Sequence, residues 1–79
     1  MDNRNKEVTA TFSTHYGAML TKKKLGDRCT LRPVPRLLSS SCGTCAVVKD
    51  STVEELKNAA GEYLEGIFLL SEGRYEKIL

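Results

Sequence analysis

Cys42 and Cys45 flank Gly43-Thr44 in the segment "SSSCGTC", and a third cysteine stands at Cys29. A close thiol pair is compatible with four chemistries: a dithiol redox couple, half of a metal site, one working thiol with a bystander, or two core residues. Thiols react as thiolates, and cations or a helix amino terminus lower their pKa. Candidates for that role are Arg36 in the loop before the pair, and Thr14 and His15 in "FSTHY", which reads as the start of a helix. Ser39, Ser40 and Ser41 supply hydroxyls and amides suited to a small anion, and Gly43 permits close backbone approach.

The pair is a weaker sign of a thioredoxin-type couple than its spacing suggests, because in such a couple the first cysteine caps a helix that follows directly. "AVVK" follows here, which reads as a strand, so Cys45 should enter a sheet. Cys42 and Cys45 then differ in strand parity and leave on opposite faces, and a core role for Cys45 is the expectation. A resolving role for Cys45 stays open, as does a purely structural role for Cys42. With His15 the three cysteines form a Cys3His set that would suit zinc, but there is no second close pair. Cys29 also starts a different strand at the far edge. A zinc site within one chain is therefore not expected; two pairs meeting across a dimer remain an option.

The elements that must position these residues follow from period. "EVTATFS" alternates, with Val8, Ala10 and Phe12 on one side, and reads as a half-buried strand. Ser13 and Thr14 are cap-forming types opening a helix over residues 15–25, with Ala18, Met19 and Leu25 inward and the stem of Lys22 along the same side. "RCTLRP" is a second strand that Pro33 and Pro35 confine to an edge. "TCAVVK" is a third, apolar at both parities and so covered on both faces. "STVE" is a capping box with Ser51 as cap and Glu54 reaching back; Val53, Leu56, Ala60 and Tyr63 or Leu64 follow at helical spacing. "GIFLL" is a fourth strand.

The order is strand, helix, strand, strand, helix, strand, which predicts an α+β, ferredoxin-like β-α-β-β-α-β sandwich: a four-stranded antiparallel sheet with two helices on one face. Residues 1–6 read as a tail, 7–70 as the domain and 71–79 as a second tail. Right-handed crossovers put strands one and three at the centre. That layout places Ser13, Thr14 and His15 on the same edge as Arg36, Ser39 to Ser41 and Cys42.

Composition bounds the function. Seventy-nine residues with 41% hydrophobic content make one small domain, a size at which a second apolar surface is often covered by a partner or a homodimer. Twelve basic against 10 acidic residues leave a net charge of +2, no strong push toward nucleic acid or an anionic membrane. The lysine run Lys22 to Lys24 reads as a solvated face. No apolar run is long enough to span a bilayer, and the polar start "MDNRNKEV" is not that of a signal peptide. An odd cysteine count fits a reducing cytoplasm better than a secreted disulfide scaffold. There is no phosphate-binding glycine loop and no nucleophile elbow.

"FSTHYGAMLTKKKL" followed by "CTLRPVPRLLSSSCG" resembles the small bacterial domains named putative Se/S carrier protein-like. The matching positions are Thr14 and His15, Pro33 to Arg36, and Ser39 to Gly43, within a similarity spanning about residues 7–70. The resemblance implies a non-catalytic carrier that holds sulfur or selenium on Cys42, as a transient persulfide or selenide and without a resident cofactor. It implies donor and acceptor proteins as partners. Cys45 departs from the pattern, where an apolar strand residue is usual, so a redox or metal specialisation of this chain stays open. The competing expectations are a ferredoxin-like regulatory or interaction module with incidental cysteines, and a dithiol oxidoreductase using Cys42 and Cys45.

Overall fold

The computed structural model describes residues 7–36, 38, 42–49, 52–71 and 73–78. Among the described residues five strands and two helices follow one another: β1 (Glu7–Phe12), α1 (His15–Leu25), β2 (Cys29–Pro33), β3 (Thr44–Lys49), α2 (Val53–Ala60), β4 (Leu64–Ser71) and β5 (Arg74–Lys77). A short 3-10 turn follows each helix, at Gly26–Arg28 and Gly61–Tyr63. The sheet order is β2-β3-β1-β4-β5, and every neighbouring pair is antiparallel. β1 and β3 are therefore central neighbours, as the crossover rule requires.

The expected four strands are corrected to five. Residues 74–77, read as part of a tail, pair with β4 from Phe68↔Lys77 to Ser71↔Arg74. "RYEK" has one large apolar residue among charged ones, the composition that protects an exposed sheet edge and hides a strand from a hydrophobicity reading.

Strand alternation sorts the sheet into two faces. Val8, Ala10, Phe12, Cys29, Ala46, Val48 and Ile67 form one buried cluster with Ala18 and Leu25 of α1 and Leu56, Ala59 and Ala60 of α2. Phe12, Leu56 and Ile67 are its largest fully buried side chains, each contributing about 1.5–3 kcal/mol of transfer free energy. A register shift between Thr11 and Phe12 sets Leu64, rather than its charged neighbour, opposite Phe12. Such a bulge keeps an apolar side chain over the core where the regular pleat would not.

The helices dock by different means. α1 buries Gly17, Ala18, Thr21 and Leu25, and Met19, expected inward, is 55% exposed. Apart from Leu25 the contact is made of small residues, with the Thr21 hydroxyl satisfied by the Gly17 carbonyl at 3.0 Å. Lys22 ends the helix by donating from Nζ to the Gly26 carbonyl (3.2 Å) and the Cys29 carbonyl (2.6 Å). Thr14 is the cap residue of α1 by backbone conformation, but its side chain makes no capping bond. In α2 the cap is Thr52, whose hydroxyl accepts from the Glu55 amide at 3.0 Å; the expected Ser51 lies outside the described residues. Arg28 forks onto Glu55 with contacts of 3.2 and 2.6 Å, tying the end of α1 to α2. With 40% and 37% of these side chains exposed, solvent screening leaves the pair about 1 kcal/mol or less.

Candidate functional site

The strand register fixes what stands near what. Thr11 lies opposite Cys45 and Pro33 opposite Thr44, so the exits of β1 and β2 and the entrance of β3 share one end of the sheet. Ser13, Thr14 and His15 continue from that end of β1 into the first turn of α1, all three exposed. Cys42 lies two residues before β3 at the same end. Arg36 follows the β2 exit and is also exposed. Ser39, Ser40 and Ser41 lie outside the described residues.

The three thiols have unequal surroundings. Cys29 is fully buried at the opposite end of β3, where it pairs with Val48. Burial pushes its thiol up, opposed in smaller part by the charge of Lys22. Cys45 is 1% exposed and faces away from the helices, its thiol directed at the Pro33 carbonyl at 3.7 Å. Burial pushes Cys45 up too; Arg32 pulls it down and Cys42 adds a small push upward. Cys42 alone is half-buried, packed against the edge of the helix-side core. Its Sγ accepts from the Thr44 amide at 3.4 Å and lies 3.2 Å from the Thr44 carbonyl, toward which the thiol proton points. Cys42 and Cys45 therefore lie on opposite faces, as strand parity predicts, and Cys45 is a buried sheet residue.

Gly43 makes the separation possible. Its φ of +76° is in the left-handed region, and its carbonyl accepts from the Val34 amide at 3.1 Å, tying the β2 exit to the β3 entrance. A Cβ added there meets nothing within 4 Å, so only backbone conformation opposes a side chain. Gly43→Ala is expected to cost about 1–2 kcal/mol, with Gly43→Asn costing less. Urea unfolding of both variants checks this, and equal stability of Ala and Gly would show that the turn relaxes.

Two further features escaped the sequence reading. Gly17 lets α1 lie against Tyr63, whose carbonyl accepts from the Ser13 amide at 2.8 Å and whose ring meets Tyr16 edge-on at 5.3 Å. On the other face, Thr9, Arg32, Pro33, Val34, Pro35, Arg36, Cys45, Val47 and Tyr75 line a groove of about 390 Å³. Arg36, expected beside Cys42, thus borders the side of the sheet where Cys45 lies. Among the described residues no three His, Cys, Asp or Glu side chains gather to hold a metal ion, and no helix is long and apolar enough to cross a membrane.

The fold and site define a small α+β domain with one partly accessible loop thiol and two thiols kept in the interior. Residues 7–69 match the family described as "Putative Se/S carrier protein-like", and the chain belongs to that family. Neither a curated protein nor a solved structure matches it.

Proposed function

We propose that this domain is a carrier, not a turnover catalyst: it accepts sulfur or selenium on Cys42 from a donor protein and passes it to an acceptor. Family membership supports sulfur or selenium as the cargo. The observation that carries the assignment to Cys42 is the inequality of the thiols, since Cys42 alone combines partial exposure with a backbone amide on its sulfur. Such an amide solvates an anionic sulfur, and the exposed first turn of α1, with His15, stands at the same end of the sheet. The ferredoxin-like plan, extended by β5, would act as the rigid mount for this loop.

The transfer balances without an added oxidant. The Cys42 thiolate attacks the terminal sulfur of a donor persulfide; the donor's S–S bond breaks as the Cys42 S–S bond forms. The donor cysteine leaves as a thiolate. The acceptor repeats the step and regenerates the Cys42 thiolate. Selenium transfers in the same way.

The test is intact mass after incubation with a cysteine desulfurase and cysteine or selenocysteine. Wild type and Cys45→Ser are expected to gain one chalcogen atom, and Cys42→Ser none. A dithiol protein would instead lose two hydrogens and need both thiols. Absence of any adduct on wild type sinks the carrier reading.

A further inference from the structure

The face of the sheet away from the helices holds a site that the Cys42 chemistry does not use. The groove there crosses from Pro33, Val34, Pro35 and Arg36, at the exit of β2, to Tyr75 on β5, with Thr9, Cys45 and Val47 on its floor. At about 390 Å³ it lies at the small end of the range for small-molecule sites.

Three observations define the chemistry of its occupant. Among the described residues the lining carries two guanidinium groups, Arg32 and Arg36, and no carboxylate. Among the described residues neither guanidinium makes an ion pair or hydrogen bond, although Arg32 also borders a neighbouring groove that contains Glu7 and Asp27. Thr9 is 5% exposed, and its hydroxyl has no hydrogen-bond partner among the described residues. Thr9 is nonetheless one of the residues that line the groove. The remaining walls, two prolines, two valines and a tyrosine ring, are apolar. By contrast, the neighbouring groove of about 300 Å³ sets Glu7 and Asp27 among Arg28, Arg32 and Lys49 and so mixes both signs of charge.

We propose that this groove binds a small organic oxyanion, a carboxylate or phosphate carried on a short apolar body, with Arg32 and Arg36 on the anion, Thr9 as a hydroxyl donor and the proline and tyrosine walls on the body. Guanidinium forks match the planar carboxylate and the phosphate equally, and each charge-assisted bond made out of bulk water contributes more than a neutral one. The site is independent of Cys42, which lies on the helix side.

The test is a titration of the isotope-labelled 79-residue chain, followed by backbone amide shifts, with four probes: benzoate, phenyl phosphate, inorganic phosphate and neutral benzamide. Benzoate or phenyl phosphate is expected to give saturable shifts centred on Thr9, Arg32, Val47 and Tyr75, and whichever binds more tightly names the anion. Arg32→Gln and Arg36→Gln, both at exposed positions, are expected to weaken that probe about tenfold or more each. Thr9→Val, close in volume, tests the hydroxyl without depending on a charge change. Four results overturn the proposal: no probe saturates; benzamide matches the anions; inorganic phosphate binds as well as phenyl phosphate; or the arginine variants, with undisturbed spectra, bind like wild type. None of these bears on chalcogen loading, so the carrier reading and the groove fail separately.

Discussion

Gly17→Ala is expected to destabilise the domain by about 2 kcal/mol or more, which is large for a chain of this size. A Cβ at Gly17 would sit inside the van der Waals envelope of the Tyr63 Cβ and within 3.3 Å of Phe12 Cδ1 and Tyr63 Cγ. The obstructing atom is bonded to the backbone and cannot swing aside like the end of a long side chain. That backbone is held by the Ser13 amide on the Tyr63 carbonyl. Alanine would return about 1 kcal/mol of helix propensity. Overpacking costs about 1–3 kcal/mol, more where the neighbour is rigid, so the steric effect wins. The melting temperature should fall by about 10 °C or more. Tyr63→Ala keeps the Cβ and should not rescue the variant, whereas Tyr63→Gly should reduce the cost of Gly17→Ala. If Gly17→Ala melts at or above the wild-type temperature, the close approach of α1 to Tyr63 is not as described.

The same glycine shows why part of the fold was illegible. β1 and β3 were readable because alternation and β-branched content agree with burial: Ala46 and Val48 are buried on one face, while Cys45 and part of Val47 are covered on the other. In α1 the expected Ala18 and Leu25 are buried, but the contact is completed by Gly17 and Thr21, which carry little or no apolar signal. Met19 carries a strong one and is exposed, so a hydrophobicity pattern misplaces that one residue of α1. The cap of α2 slipped by one because Ser51-x-x-Glu54 and Thr52-x-x-Glu55 both satisfy the motif, and only backbone geometry distinguishes them. The strand start at Leu64 was missed by two residues because the bulge places Leu64 out of period with Ile67.

The candidate site was legible where it depended on parity and connection order. Opposite faces for Cys42 and Cys45 followed from the strand after them, and the shared sheet end followed from the crossover rule. The groove was not legible. It joins Thr9, Arg32 and Tyr75 from three strands, and Tyr75 belongs to a strand that the pattern did not reveal.

Native protein at neutral pH is expected to take up one alkyl group from iodoacetamide, at Cys42, and three only after unfolding. Cys29 and Cys45 are 0% and 1% exposed, so a reagent reaches them only through opening of the sheet. Burial also pushes both thiols above their ordinary value of 9.0 and keeps them protonated. This second effect sets a pH dependence. The folded state holds both protons where the unfolded chain, near pH 9, begins to release them, so unfolding releases protons and stability falls as pH rises above about 9. Below that value these two groups contribute no slope. Each thiol adds at most about 1.4 kcal/mol per pH unit, and Cys29→Ala or Cys45→Ala should make the fall shallower. Mass spectrometry of the alkylated protein and urea midpoints between neutral pH and about pH 10 check the two parts. Three equal adducts on folded protein, or flat stability through that range, would overturn them. The consequence for the carrier reading is direct. A persulfide on Cys42 is vulnerable to a neighbouring thiolate, which would attack the Cys42 sulfur, close a Cys42–Cys45 disulfide and expel the cargo as hydrosulfide. Keeping Cys45 protonated, buried and on the opposite face withholds that nucleophile, so the C-x-x-C spacing is compatible with a single-thiol carrier only because the sheet separates its two members.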